Sequence, residues 1–130
     1  MSQADVDVVE SFLKAFNAGE LEGAFSHLHP DFVLNEGAGL PYGGDWVGLE
    51  GFQKLLGAIF TPFEMGVDEY TVSDAGSCVM VKLLMTFTSR ASGQSVKMPG
   101  CELYTIKDGK ISYLDVFYKD TKTIADLAQG

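Results

Sequence analysis

The chain has 130 residues, of which 46% are hydrophobic and 21% are charged, and its formal net charge at pH 7 is −9. This length and hydrophobic content predict one domain over residues 1–130 with a single core. Because an acidic chain repels phosphate groups, the charge disfavours nucleic acid and anionic membranes as partners. The sequence has no secretory signal and no apolar run long enough to span a bilayer, and reduced thiols are expected for its two cysteines. We therefore expect a cytoplasmic protein.

The first half of the sequence predicts three helices and one strand. Ser2 and Asp5 have the spacing of a capping box, and the apolar residues of 8–16 repeat at helical spacing. A short helix is predicted at 20–27, a strand at 31–36 and a third helix at 49–59. The glycine-rich segment before the third helix predicts a mobile loop over a pocket, with Tyr42 and Trp46 in it.

The second half of the sequence is dominated by strand patterns. Strands are predicted at residues 67–73, 78–88, 96–106 and 111–118, and a short helix at 120–128. Asp108-Gly109 predicts a tight hairpin turn, and Pro99-Gly100 predicts a bulge. Helices followed by successive strands predict an α+β fold, in which a curved antiparallel β-sheet wraps around the N-terminal helices and leaves a conical pocket.

Three stretches resemble the NTF2-like superfamily, and within it the SnoaL-like and ketosteroid-isomerase-like branch. They are residues 16–20, residues 29–33 with 48–52 beyond the glycine-rich loop, and residues 103–111. The resemblance implies a cystatin-like or NTF2-like cone. It leaves the activity open, because the superfamily contains isomerases, cyclases, epoxide hydrolases, dehydratases and non-catalytic binders.

Glu36, at the end of the predicted first strand, is the candidate catalytic base. The resemblance implies this role, because ketosteroid isomerases carry a carboxylate base at the matching position. An apolar cone would raise the pKa of such a carboxylate into a useful range. The alternative is a solvent-facing glutamate at a strand end. The positions of the two oxyanion donors of those isomerases correspond to Phe12 and Cys101, so both donors are lost. The Asp-Arg-Asp arrangement of related epoxide hydrolases has no counterpart in this sequence.

Alternating side chains on the last predicted strand divide it into two faces. The resemblance places Leu114, Val116 and Tyr118 toward the pocket. Tyr113, Asp115 and Phe117 then form the outer face, which is the predicted homodimer interface. With the opposite phase, Asp115 would be a second acid in the pocket. The complete set of predicted ligand contacts is Phe12, Phe16, Trp46, Cys101, Leu114, Val116 and Tyr118.

These features predict a small-molecule-binding protein. The leading hypothesis is cofactor-free acid/base catalysis, of the isomerase, cyclase or dehydratase type, on an apolar enolisable carbonyl compound. The alternative, which the missing oxyanion donors favour, is a non-catalytic ligand-binding module or a dimeric accessory module. His27 and His29 lack a third ligand in a metal-binding pattern, so neither a metal nor another cofactor is expected.

Overall fold

The structure, a computed structural model that describes residues 2–129, places four helices with one six-stranded sheet. The helices are α1 (Gln3–Asn17), α2 (Leu21–Phe25), α3 (Gly48–Phe60) and α4 (Thr121–Ala128). The strands are β1 (Leu28–Glu36), β2 (Gly44–Val47), β3 (Phe63–Asp74), β4 (Val79–Ser89), β5 (Ser95–Lys107) and β6 (Lys110–Tyr118). They lie in the order β2-β1-β6-β5-β4-β3. The α+β fold with a curved sheet is therefore confirmed.

The sheet is mixed, because β1 and β6 pair in parallel while the other four neighbouring pairs are antiparallel. The predicted wholly antiparallel sheet is wrong at this one pair. β1 and β6 are joined by most of the chain, so their relative direction is not restricted by a hairpin. The parallel pair puts the end of β1, and with it Glu36, beside the second half of β6.

The glycine-rich segment, predicted as a loop over the pocket, is packed against the protein. Its last part forms β2 and pairs with β1. Within residues 37–43, Leu40 and Tyr42 are buried. A Cβ atom at Gly39 would lie 2.8 Å from Oγ1 of Thr121 at the start of α4. The glycines of this turn therefore allow close contact with neighbouring backbone and with α4, in addition to any freedom that they supply.

A β-bulge lies between Thr105 and Ile106, where the register of β5 against β6 shifts by one residue. The turn that joins these strands has positive φ angles at Asp108 (53°) and Gly109 (73°), as a two-residue hairpin requires. The bulge predicted at Pro99-Gly100 is absent, because both residues pair in regular register with β4. The bulge adds Ser112 to β6, so that Ile111 and Leu114, which are three residues apart, are both buried on the core side.

An aromatic cluster joins the helices to the inner face of the sheet. The rings of Phe12 and Phe16 in α1 stack at a centroid distance of 6.1 Å, and each lies 6.2 Å from the ring of Phe52 in α3. Phe12 also makes an edge contact with Tyr104 of β5 at 6.0 Å. Such contacts add to the stability gained from burying the rings. Along β4, every second residue from Val79 to Phe87 is buried, and the intervening residues are partly or fully exposed. The sheet thus has one core-facing side and one outer side.

The helices of the described residues are all too short or too polar to cross a membrane.

Candidate functional site

A cavity lies between α1, α3 and the inner face of the sheet. It offers about 60 Å³ of space to the centres of water-sized molecules. Phenylalanine, leucine, methionine and other apolar side chains form most of its wall. The polar residues of the wall are Asn17, Glu36, Glu102, Tyr104 and Tyr118, and the wall contains no lysine, arginine or histidine. The acidic groups therefore lie in an apolar site without a basic partner.

Glu36 is the last residue of β1 and one of the most buried polar residues of the described chain, with 3% of its surface exposed. Its Oε1 atom is inaccessible to solvent and has no hydrogen-bond partner. Burial, and next the charge of Glu102, raise the pKa of Glu36 from 4.5 to about 8. At neutral pH this carboxyl is therefore mainly protonated, because the apolar wall disfavours its charged form.

Glu102 of β5 is the second carboxyl of the cavity. The hydroxyl of Tyr104 donates a hydrogen bond of 2.7 Å to its Oε1 atom. Burial raises the pKa of Glu102 from 4.5 to about 6, and the bond from Tyr104 limits that rise. Because a donated hydrogen bond stabilises the charged form, Glu102 carries the negative charge of the pair at neutral pH.

The sheet register explains how the two carboxyls come to one place. Val116 of β6 lies opposite Glu102, and Asn35 of β1 pairs with Asp115, so Glu36 lies level with Val116. Glu36 and Glu102 are thus two strands apart, with a Cα separation on the order of 10 Å. Two glutamate side chains that extend from these positions into one cavity leave room between them for a small functional group of a ligand.

Tyr118 is the second tyrosine of the cavity wall, beside Tyr104. Its pKa is raised well above the usual value, by burial first and then by the charges of Glu36, Tyr42 and Glu102. Its ring lies over Gly100, where an added Cβ atom would come within 3.3 Å of the ring and 2.9 Å of Leu83. A side chain at position 100 would therefore displace the tyrosine from the cavity.

Tyr42 lies close to this acidic cluster but outside the cavity wall. It is buried, its hydroxyl has no hydrogen-bond partner, and burial together with the charge of Glu36 raises its pKa. Trp46 holds the segment by donating a hydrogen bond of 2.9 Å from Nε1 to the carbonyl oxygen of Tyr42. The two aromatic residues thus support the end of β1 from the side of β2.

The family comparison decides the identity of this fold. A family model for the SnoaL-like domain matches residues 9–114, which include the site from Phe12 to Leu114. The chain belongs to the SnoaL-like family. The comparison with curated proteins found no match.

Several solved structures have the same fold, and their similarity covers nearly the whole chain. An NTF2-like protein of unknown function from Burkholderia pseudomallei K96243 has a TM-score of 0.88 and 21% identity over 100% of both chains. TerC, crystallised with polyporic acid, has a TM-score of 0.86 and 23% identity over 98% of this chain and 100% of its own. A putative polyketide cyclase from Xanthomonas campestris pv. campestris has a TM-score of 0.81 and 18% identity over 97% of both chains. At these identities the similarity shows the fold.

Five of the predicted ligand contacts lie in the cavity wall of this SnoaL-like domain: Phe12, Phe16, Leu114, Val116 and Tyr118. Glu36, the predicted catalytic residue, is also there. The phase proposed for residues 111–118 is therefore the one that the structure has. Contact of these residues with a ligand stays a prediction.

Trp46 and Cys101 are not in the cavity wall. Trp46 belongs to β2 and lies against Tyr42, because the segment forms a strand instead of a loop over the cavity. Cys101 pairs with Phe117 and lies with it on the outer side of the sheet. An unbroken register from the hairpin would have opposed Cys101 to Val116. The bulge at Thr105 and Ile106 shifts this register by one residue, so that Glu102 opposes Val116 instead.

Glu102 and Tyr104 were missed by the sequence analysis. Their spacing of two residues places them on one face of a strand, and this was the available signal. The sequence did not indicate which face was inside, because the position of the bulge was not evident. Tyr42 was also missed, since a buried tyrosine in a glycine-rich segment looks like an exposed one in sequence.

Tyr113, Asp115 and Phe117, the predicted dimer residues, lie on the outer side of β6. Phe117 is the most exposed of the three, with 49% of its surface accessible, and it borders an outer depression with Met80, Pro99 and Cys101. Burial raises the pKa of Asp115, which has Asn35 beside it on β1. A homodimer through this face stays a prediction.

Replacing Phe117 with lysine is expected to convert a homodimer of this kind into a monomer. A charge placed on both copies of an apolar two-fold contact would be repelled and desolvated. Light scattering coupled to size-exclusion chromatography measures the mass, and Lys82→Ala on the same outer side serves as a milder control. An unchanged mass for Phe117→Lys would exclude this face as the interface.

His27 and His29 lie outside the cavity wall. His29 accepts a hydrogen bond of 3.0 Å at Nδ1 from the backbone of Asp31, and its Nε2 atom lies 3.7 Å from Asp108. Within residues 2–129, no group of three or more histidine, cysteine, aspartate and glutamate side chains is placed to hold a metal ion. His29 therefore lies between the start of β1 and the β5–β6 turn.

Proposed function

We propose that this SnoaL-like domain catalyses cofactor-free acid/base chemistry on an uncharged, apolar, enolisable carbonyl compound. The observation that supports this proposal is a pair of carboxyls, the buried Glu36 and the half-buried Glu102, in one apolar cavity with no basic residue in its wall. Two carboxyls whose environments separate their pKa values are suited to act as acid and base at the same pH. Glu102 accepts a hydrogen bond from Tyr104, whereas Glu36 is buried and its Oε1 atom has no hydrogen-bond partner.

The proposal assigns the base role to Glu102 and the acid role to Glu36. Glu102, stabilised as a carboxylate by Tyr104, would remove a proton from the carbon next to the carbonyl group. Glu36 keeps its proton at neutral pH and would donate a hydrogen bond to the carbonyl oxygen as negative charge develops there. This arrangement supplies the oxyanion donor that Phe12 and Cys101 cannot. An ionised Glu36 as base, the assignment made from sequence, is the competing arrangement.

The proton balance of this step is complete without a cofactor. The C–H bond breaks, its proton passes to Glu102, and the electron pair moves to give an enolate whose oxygen is held by Glu36. Return of the proton to a different carbon gives an isomer. Loss of a hydroxide from the neighbouring carbon, protonated by Glu36 as it leaves, gives water and a dehydrated product.

The substrate class follows from the wall of the cavity. Phe12, Phe16 and Phe52 present aromatic surface, which suits a ring or a chain of carbon atoms. An anionic ligand would meet the charge of Glu102 without a cation to offset it, so an uncharged ligand is favoured. Polyporic acid with TerC and the putative polyketide cyclases of Xanthomonas campestris and Pseudomonas putida give further support for oxygenated carbon compounds as ligands.

Deuterium uptake from heavy water tests the proposal directly. The protein would be incubated with methyl ketones of four to ten carbons, and mass spectrometry would follow exchange of the protons next to the carbonyl group. Exchange is expected with the wild type and should be lost in the double variant Glu36→Gln/Glu102→Gln. The rate of exchange should be greatest near pH 7. It should fall below about pH 6, where Glu102 is protonated, and above about pH 8, where Glu36 is ionised. Equal exchange by the folded double variant would refute catalysis by this pair.

Ligand binding separates catalysis from the alternative, a ligand-binding module without activity. Two carboxyls can orient a bound ligand without any chemistry. A ketone that binds with the same affinity to the wild type and the double variant, and that exchanges no deuterium in either, would favour the binding module. Ketone exchange that depends on the two glutamates would favour the enzyme.

A further inference from the structure

A second concave site opens on the surface beside the cavity. It lies between the end of α1, the end of α3 and the start of β3, and we call it the outer groove. It offers about 440 Å³ to the centres of water-sized molecules, several times the space of the cavity. Its lining residues are Phe16, Asn17, Gly19, Leu21, Leu56, Phe60, Met65, Gly66 and Val67. Asn17 is the one polar side chain among them.

The outer groove adjoins the cavity, and their shared wall indicates one continuous site. Five residues line both: Phe16, Asn17, Leu56, Met65 and Val67. Glu36, Glu102, Tyr104 and Tyr118 line the cavity and do not border the outer groove. The combined site is therefore polar at its inner part and apolar from there outward. Met65, which belongs to the shared wall, has a flexible side chain that can change rotamer around a ligand.

The size and the lining of the two parts point to an elongated ligand. The inner cavity alone holds a small group, such as a carbonyl with a few carbon atoms. The outer groove exposes apolar surface, including Leu21 with 41% of its surface accessible. Charged side chains are absent from its lining, which would disfavour a polar or ionic occupant. Apolar surface that continues directly from a ligand cavity is best covered by more of the same ligand.

We propose that the outer groove binds the apolar tail of an elongated carbonyl compound whose carbonyl group lies between Glu36 and Glu102. The tail passes from the cavity between Phe16, Leu56 and Met65 and covers Leu21 and Phe60. The position of the carbonyl group rests on the proposed function. The position of the tail rests on the continuity of the two sites and has its own test.

A homologous series of ketones measures the contribution of the outer groove. Dissociation constants for butan-2-one, hexan-2-one, octan-2-one and decan-2-one would be measured by NMR titration. Burial of each further methylene contributes about 0.8 kcal/mol at most, which is about a fourfold gain in affinity. In the wild type, the affinity is expected to rise by about two- to fourfold per methylene along the whole series.

Leu21→Asp is the variant that should prevent apolar binding in the outer groove. Leu21 lines the outer groove and does not line the cavity, so an aspartate there would place a charge beside the tail and leave the cavity unchanged. Leu49→Asp is the matched control, because Leu49 is 44% exposed, against 41% for Leu21, and lies outside both sites. Both leucines are in the first turn of a helix, where an aspartate is tolerated.

The expected result is that Leu21→Asp binds butan-2-one as the wild type does but loses most of the gain in affinity for octan-2-one and decan-2-one, while Leu49→Asp keeps that gain. A length-dependent gain that persists unchanged in Leu21→Asp would overturn the proposal. So would a wild-type series without any gain beyond butan-2-one, although that result would leave the acid/base pair untouched. A change of oligomeric state in Leu21→Asp alone would assign the outer groove to a second copy and also overturn it. Failure of every ketone to bind would contradict both proposals.

Discussion

Glu102→Gln is expected to lower kcat/KM for ketone deuterium exchange by about 10³-fold, whereas Glu36→Gln is expected to lower it by only about tenfold. The two effects differ because Glu102 is the proposed base and Glu36 is the proposed hydrogen-bond donor to the carbonyl oxygen. A glutamine at position 102 cannot accept a proton from carbon. A glutamine at position 36 can still donate an N–H hydrogen bond to the carbonyl oxygen, although a weaker one.

The two isosteric substitutions are controls for each other, since each replaces one carboxyl by an amide of the same shape. Both proteins must be shown to fold, by circular dichroism and by thermal unfolding, before rates are compared. A loss that is larger for Glu36→Gln than for Glu102→Gln would assign the base role to Glu36. A pH profile alone cannot make this distinction, because either assignment gives the same two limbs.

Tyr104 offers a separate check of the same assignment. Tyr104→Phe removes the hydrogen bond of 2.7 Å that stabilises the charged form of Glu102. The pKa of Glu102 should then rise above about 6, and the acidic limb of the exchange profile should move to higher pH by about one unit. An unmoved limb would mean that it reports a group other than Glu102.

The second large effect is on stability. The free energy of unfolding of the wild type is expected to decrease as pH rises from about 5 to about 8, and Glu36→Gln is expected to remove most of this decrease. The folded-state pKa of Glu36 is about 8 against 4.5 for the unfolded chain, so the folded protein holds a proton that the unfolded chain releases. The stabilisation from this group is therefore complete below pH 4.5 and is lost as pH rises through 8.

The size of this effect follows from the shift in pKa, and for Glu36 it amounts to about 4 kcal/mol between these limits. Urea unfolding, followed by the fluorescence of Trp46, measures it at pH 5, 6, 7 and 8. At pH 8, Glu36→Gln should be the more stable protein. Glu22→Gln, an exposed carboxylate on α2, is the control and should keep the wild-type slope. A wild-type curve that is flat from pH 5 to 8 would show that Glu36 is not held in its protonated form.

The helices and the long strands could be predicted from sequence because their signals are local. The Ser2–Asp5 capping box and the apolar repeats of α1 and α3 depend on residues three or four apart, and each forms as predicted. The end of β1 at Glu36 was predicted for the same reason, since the following glycines stop the strand. The resemblance to the NTF2-like superfamily then gave the overall arrangement, which the family match over residues 9–114 supports.

The remaining part of the site could not be predicted because it depends on pairing between distant strands. Which residue of β5 lies opposite Val116 depends on the additional residue Ser112 of β6, which shifts the register by one residue and puts Glu102 there instead of Cys101. The pairing of Gly44–Val47 with β1 likewise involves only four residues, of which Gly44 and Asp45 disfavour strands. Both features follow from tertiary contacts that periodicity does not record.

The bulge also separates the β5–β6 turn from the site. Ser112 is the additional residue of β6 at the register shift. Ile106 pairs with Ile111 on the turn side of Ser112, and Glu102 pairs with Val116 on the other side. Deletion of Ser112 would therefore join the two registers and leave both pairings as they are. Protein engineers could thus shorten or exchange this hairpin, for example to attach a tag or a second domain, without moving the carboxyls of the cavity.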